Sequence, residues 1–241
     1  MRLLDLSFNE PARNLALDEA LLNEAEAGRS EATLRFWESP SPFVVLGLTQ
    51  TLAAEVQEEA CAADGVAVLR RSSGGGCVLQ GKGCLNFALV LEKKSHPDLA
   101  SIRSSNQYIL GRVSSALGSI GLQTRIDGIS DLTLDGRKVS GNAQRRRRRY
   151  ILHHGTLLYD ADLGLISKYL KEPAKRPDYR ADKEHLDFVG NLPADAKSLK
   201  QGLATAFGAE QLSADISQGE LCQIDSLCEE KYENTAWLRR K

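Results

Sequence analysis

Val66-Ala67-Val68-Leu69-Arg70-Arg71-Ser72-Ser73-Gly74-Gly75-Gly76 is a short apolar run that empties into two arginines, two serines and three glycines. The run after Gly65 predicts a strand, Val66 to Leu69. The glycines permit positive φ and let backbone approach a ligand with no Cβ in the way. Successive amides in such a turn can form a concave anion site. Paired guanidinium groups beside it suit phosphate or carboxylate. The segment is neither G-x-G-x-x-G nor a P-loop, because no correctly spaced Lys-Ser/Thr follows Gly76. The residues alone leave a flexible surface turn open as an alternative.

Upstream of this segment, Leu15 to Ala27 has a helical pattern with Leu17, Ala20, Leu21 and Ala25 on one side and acids on the other. Ala32 to Trp37 and Phe43 to Leu48 predict strands, and Ala53 to Ala63 a helix that stops before Gly65. Downstream, Leu85 to Leu91 predicts a strand and Ser105 to Ile120 a helix ending at Gly121. Asp135-Gly136 between Leu132-Thr133-Leu134 and Lys138-Val139-Ser140 is a strong hairpin signal. Tyr150 to Tyr159 predicts a long strand, and Leu163 to Leu170 a helix. Lys171 to Asp187 is polar and basic and predicts a loop; Ala194 to Phe207 and Gly219 to Tyr232 predict helices. Strands, hairpins and helices do not alternate regularly. The expected class is therefore α+β, a mixed or antiparallel sheet flanked by helices, in a single domain over residues 1–241.

The 241 residues are 42% hydrophobic and 26% charged, with a formal net charge of -1. That profile fits a globular chain and gives no global field for nucleic acid or membrane. Five cysteines, Cys61, Cys77, Cys84, Cys222 and Cys228, show no CxxC spacing, so neither disulfides nor zinc is expected. No signal peptide or membrane-length apolar run is visible, and the expected compartment is the cytoplasm.

Three more segments carry chemistry. Lys138 lies beside the Asp135-Gly136 turn and precedes Ser140-Gly141-Asn142, residues that allow close ligand approach. Its ammonium could stabilise a phosphate or a developing oxyanion, or simply be solvated. Arg145 to Arg149 are five consecutive arginines. They fit a nucleic-acid patch or a solvated loop gripping an acidic partner, but aromatic residues are nearly absent from the run. His153-His154 lie in a strand, where neighbours face opposite ways, so one is expected in a pocket and the other outside it or packed.

Taken in order, these segments resemble the lipoate–protein ligase family. The matching stretches are Asn14-Leu15-Ala16-Leu17-Asp18-Glu19-Ala20, Pro42 to Gly47, Arg70 to Val78, Asp131, Gly136 to Gln144, His153 to Leu158, and Lys231-Tyr232 with Trp237. The resemblance implies a class II synthetase or biotin ligase-like catalytic domain. It also implies a two-step reaction, in which lipoate and ATP give lipoyl-AMP and a lysine of a carrier domain then takes the lipoyl group. The carrier would be the lipoyl domain of a 2-oxoacid dehydrogenase or a glycine-cleavage H-type protein.

Lys138 would be the catalytic residue. The binding residues would be Arg70, Ser72, Ser73, Gly74, Gly75, Gly76, Cys77 and Val78, then Asp131, Gly141, Asn142 and Ala143, then His154, Gly155 and Thr156. Lys175 and Arg180 would contact the anion from the polar loop, and Asp131 would hold the hairpin or position Mg²⁺. Two departures stand out. The C-terminal accessory domain of many bacterial ligases is not present before Lys241, so a separate accessory protein could be needed. The cysteine that octanoyltransferases of this fold use is missing from Ile126 to Ser130 and from Tyr159 to Asp187. That favours the ATP route over octanoyl or lipoyl transfer between carrier proteins without ATP.

Overall fold

The computed structural model describes residues 1–172, 179, 185–209 and 215–240. The chain is α+β. A seven-stranded mixed sheet has the order β1-β2-β6-β10-β9-β8-β7, and a three-stranded sheet has the order β4-β3-β5. The strands are β1 (Arg2–Asp5), β2 (Thr33–Trp37), β3 (Phe43–Leu46), β4 (Ala67–Arg70), β5 (Val78–Gln80), β6 (Cys84–Glu92), β7 (Arg125–Asp127), β8 (Asp131–Leu134), β9 (Arg137–Arg146) and β10 (Tyr150–Leu158). In the large sheet β1 and β2 are parallel and the other pairs antiparallel. In the small sheet β3 is parallel to β4 and antiparallel to β5.

β6 lies inside the large sheet and is covered on both faces, which explains its near-continuous apolar sequence from Cys84 to Leu91. On one face, Phe36, Phe87, Leu89, Ile151 and Leu157 pack under helices α4 (Ile102–Ser119) and α7 (Ala196–Phe207). On the other, Trp37, Ala88, Val90 and Leu152 meet α1 (Pro11–Glu26) and Phe43 and Val45 of the small sheet. A third cluster joins the small sheet to α2 (Leu52–Glu55), α3 (Glu58–Ala63) and α5 (Gly164–Tyr169). Each fully buried Leu or Phe contributes roughly 1.5–3 kcal/mol of transfer free energy. The chain closes with α8 (Gln218–Leu227), a π-helical turn (Cys228–Tyr232) and α9 (Thr235–Leu238). Among the described residues no helix is long and apolar enough to cross a membrane.

Three expectations change in detail. The helix predicted over Ala53 to Ala63 is two short helices. Val56 breaks it by turning extended and bridging Leu170. The polar segment Lys171 to Asp187 contains the start of a one-turn helix, α6 (His185–Phe188). The acids of α1 are not on a solvated side, because Asp18, Glu19 and Glu24 are buried together with Asn14. Each of them has a partner: Asn14 bonds both backbone groups of Phe8, Asp18 takes Arg35, Glu19 takes Lys231, and Glu24 takes Arg29. A buried charge persists only with such pairing.

Candidate functional site

The β8–β9 hairpin turns at Asp135 and Gly136, with φ of 50° and 74°, the left-handed pair that a two-residue type I′ turn requires. A register shift at Leu132/Thr133 follows, and Asp131 comes to lie opposite Gly141. Lys138 Nζ sits 2.8 Å from Asp131 Oδ1. The Tyr179 hydroxyl donates to the other oxygen of that carboxylate. Gly141 makes room for this pair, since a Cβ there would stand 3.1 Å from Lys138 Cε and 3.2 Å from Nζ. The ammonium therefore lies across the face of β9 that carries Gly141, Ala143 and Arg145.

The glycine segment folds over the same face. Gly75 has φ of 89°, and its Cβ position lies 3.6 Å from the Ala143 Cβ. Arg71 is buried inside the loop and donates to the carbonyls of Gly74 (2.6 Å) and Gly76 (2.8 Å) and to Ser73 Oγ (3.1 Å). Burial pushes its pKa down to about 10, still a cation at neutral pH. Gly47 packs from behind, where a Cβ would lie 2.0 Å from the Gly75 oxygen. The loop is thus wound around a guanidinium and is not an open surface turn.

His154, on β10 opposite Ala143, places Nε2 2.6 Å from Ser73 Oγ. Its Nδ1 faces Asp18 Oδ2 at 3.6 Å. Asp18 is fixed in turn by Arg35 and by Trp37 Nε1 at 3.3 Å. His153 points to the opposite face, stacks on Phe87, and is held neutral by burial, its pKa pushed down to about 3. Arg145 donates to the Ser72 carbonyl at 2.9 Å, and its buried Nε has no partner among the described residues.

Other expected site residues have their polar groups engaged elsewhere. Arg70 is buried and donates to the carbonyls of Gly47, Leu48, Gln50, Leu238 and Arg240, so its guanidinium pins backbone. Thr156 closes a ring with Gln80 and Asn86, accepting at 2.7 Å and donating at 2.7 Å. Asn142 donates to Ser130 O and Ser140 Oγ, and Gly155 leaves space for its side chain, since a Cβ there would fall 1.8 Å from Asn142 Oδ1. Val78 packs in the core between the sheets, and Cys77 against the small sheet's own cluster, its thiol pushed up to about 12 by burial. Lys175 and Arg180 lie outside the described residues. Among the described residues no group of three or more His, Cys, Asp or Glu side chains could hold a metal ion.

A family model described as the lipoyl protein ligase A/B catalytic domain matches residues 10–215. The chain belongs to this family. Among curated relatives of this ligase A/B catalytic-domain member, the "Probable lipoate-protein ligase A" of Mycoplasma pneumoniae is 34% identical over 162 residues. That match takes in 67% of this chain and 46% of the Mycoplasma protein, so the shared stretch is under half of that relative's length. The octanoyltransferase LipM of Halalkalibacterium halodurans is 26% identical across 100% of this chain and 99% of its own. A bipartite lipoate protein ligase from Thermoplasma acidophilum, described with its E2 lipoyl domain, superposes with a TM-score of 0.85 at 26% identity, covering 100% of this chain and 97% of that one.

The members of the site that sequence reasoning missed include Asp18, Arg35, Trp37 and Tyr179. The available signal was Asn14 and Asp18, two polar residues one helical turn apart among leucines and alanines.

Proposed function

We propose that the chain is an ATP-dependent lipoate–protein ligase that forms lipoyl-AMP and transfers the lipoyl group to a carrier-domain lysine. The observation that carries this reading is the Lys138–Asp131 pair, an ammonium held at 2.8 Å and laid across Gly141 beside the glycine loop. Both half-reactions build negative charge, first on the α-phosphate and then on the acyl carbonyl oxygen. A fixed cation stabilises that charge more in the transition state than in the ground state. The buried Nε of Arg145, without a partner among the described residues, suits an anion on the same face. Asp131, engaged by Lys138 and Tyr179, orients the lysine. The apolar layer between the sheets, with Val45 and Val78, suits the acyl chain. Because the Thermoplasma chain is part of a bipartite ligase, the assay is run with and without accessory proteins.

The test is lipoate-dependent exchange of labelled pyrophosphate into ATP. Exchange is expected, and its absence even with accessory proteins added would refute the ligase reading.

A second reading, octanoyl or lipoyl transfer without ATP, is favoured by the full-length match to LipM. It requires a nucleophile. Cys61, Cys84 and Cys228 are buried, and Cys222 lies exposed on α8. Burial pushes the thiols of Cys77 and Cys84 up to about 12 and that of Cys228 up to about 11, which keeps them protonated. Acyl transfer from an acyl-carrier thioester without ATP, lost in Cys77→Ser, would establish this second route.

A further inference from the structure

We infer that Asn106 is a positioning residue of the site: its amide, aimed by Gln144 and Arg146, holds the turn that delivers Asp131 to Lys138. The inference rests on the proposed function, in which the Lys138 ammonium stabilises developing negative charge.

The direction of each amide follows from Arg146. Its Nη2 donates to the carbonyls of Leu99 and Ala100 at 2.6 and 2.9 Å, and its Nη1 reaches Gln144 Oε1 at 3.2 Å. A guanidinium has no acceptor, so it can face only the oxygen of the Gln144 amide. The nitrogen of that amide therefore points inward, to Asn106 Oδ1 at 2.6 Å and to His153 Nδ1 at 3.2 Å. Asn106 is buried in the first turns of α4 and accepts through its oxygen. Its nitrogen is left to donate, and it meets the Ile129 carbonyl at 3.3 Å. Burial keeps His153 neutral, so with Nδ1 accepting, its proton lies on Nε2. One cation at the end of β9 thus sets the polarity of Gln144, Asn106 and His153 together.

The Ile129 carbonyl belongs to the turn between β7 and β8. The Ile129 side chain is 81% exposed and cannot anchor that turn by packing. Hydrogen bonds hold it instead. Ser130 Oγ donates to the Asn142 carbonyl and Asn142 Nδ2 donates to the Ser130 carbonyl, both at 2.8 Å. These two bonds tie the turn to β9, the strand that also carries Lys138. Asn106 ties it to α4, in a different layer of the fold. The next residue is Asp131, whose Oδ1 stands 2.8 Å from Lys138 Nζ. With the turn fixed from both sides, the carboxylate has one place to stand, and the ammonium follows it.

The test is steady-state, lipoate-dependent pyrophosphate exchange by the full chain, run beside thermal melting. Gln144→Glu keeps the contact to Arg146 but offers Asn106 only acceptors. Asn106 then has to turn over and set its oxygen against the Ile129 carbonyl. Asn106→Leu removes the bond at similar volume. In both variants kcat is expected to fall about tenfold, the cost of displacing a reacting group by roughly half an ångström. KM for lipoate and for ATP is expected to stay within about twofold, because the loss falls on the transition state. A kcat within about twofold of wild type in a variant that melts cooperatively, or a raised KM at unchanged kcat, overturns the inference. Absence of exchange by the wild type overturns the proposed function instead, and two further measurements then decide the inference. Ring ¹⁵N shifts of the free protein are expected to show the Nε2–H tautomer for His153; the Nδ1–H tautomer reverses every amide in the chain and overturns it. Amide hydrogen exchange across residues 127–134 is expected to quicken about tenfold in Asn106→Leu while that of β6 is unchanged. An unaltered rate across residues 127–134 overturns the inference as well.

Discussion

Replacing Gly141 with alanine probes the lysine pair with a single methyl group. The new Cβ would lie 3.1 Å from Lys138 Cε, 3.2 Å from Nζ and 3.7 Å from Asp131 Oδ1. Carbon contacts are most favourable at about 3.5–4.0 Å, so the lysine end must retreat by roughly 0.5 Å. What retreats is the tip of a flexible side chain, and alanine is preferred to glycine in a strand. The stability change is therefore expected to stay within about 1 kcal/mol. Activity should respond more. Misplacing a reacting group by about 1 Å costs on the order of 100-fold, so half that shift implies about tenfold, or roughly 1.4 kcal/mol in the barrier. The assay is lipoate-dependent pyrophosphate exchange, run beside thermal melting of the same preparations. Exchange within twofold of wild type, with an unchanged melting temperature, would refute the claim that this ammonium's position matters.

Lys138→Ala should fold and melt normally but lose pyrophosphate exchange by about 100-fold or more, the usual cost of removing an oxyanion stabiliser; full exchange would remove Lys138 from the mechanism. Arg70→Lys cannot reach all the carbonyls that the guanidinium reaches at Gly47, Gln50 and Leu238. It should cost about 3 kcal/mol in urea unfolding and speed proteolysis of the last helix, and wild-type stability would contradict the pinning role. His153 gives a pH dependence. Its ring is held neutral to about pH 3 by burial, with His154 adding a smaller push, whereas the unfolded ring takes its proton near 6.5. The unfolded state therefore binds more protons as pH falls from 6.5 toward 3. Stability should drop over that window by at most about 1.4 kcal/mol per pH unit. Urea unfolding at several pH values should show this slope, and His153→Leu should flatten it.

The hairpin that carries Lys138 was legible because Asp-Gly between β-prone triplets has a local cause, two successive residues able to adopt positive φ. The opposed roles of His153 and His154 were legible for the same kind of reason, the two-residue period of a strand. The glycine loop was legible as a turn but not in its construction. No local rule says that Arg71 will lie inside it, or that Arg70 will leave the ligand side to bind residues 168 positions away. The arginine run misleads in a similar way. Arg145 and Arg146 finish β9, Arg146 donates to Leu99 and Ala100 carbonyls, and Arg149 donates to the Ala25 and Glu26 carbonyls of α1. Those partners are set by tertiary packing, which composition does not reveal. The acids of α1 were read only as lying on the side opposite the leucines and alanines. Their cationic partners lie 17 residues downstream for Asp18 and 212 for Glu19, beyond the reach of periodicity.

The attachment of Arg70 bears on the order in which a chain leaving the ribosome can fold. One guanidinium holds carbonyls at Gly47 and Gln50 and, made much later in synthesis, at Leu238 and Arg240. Trp237 returns the contact by donating to the Arg70 carbonyl at 2.8 Å. A nascent chain that has already made its glycine loop, hairpin lysine and histidine strand still lacks the partners that settle Arg70. The loop can therefore reach its final form only once Leu238 and Arg240 have emerged.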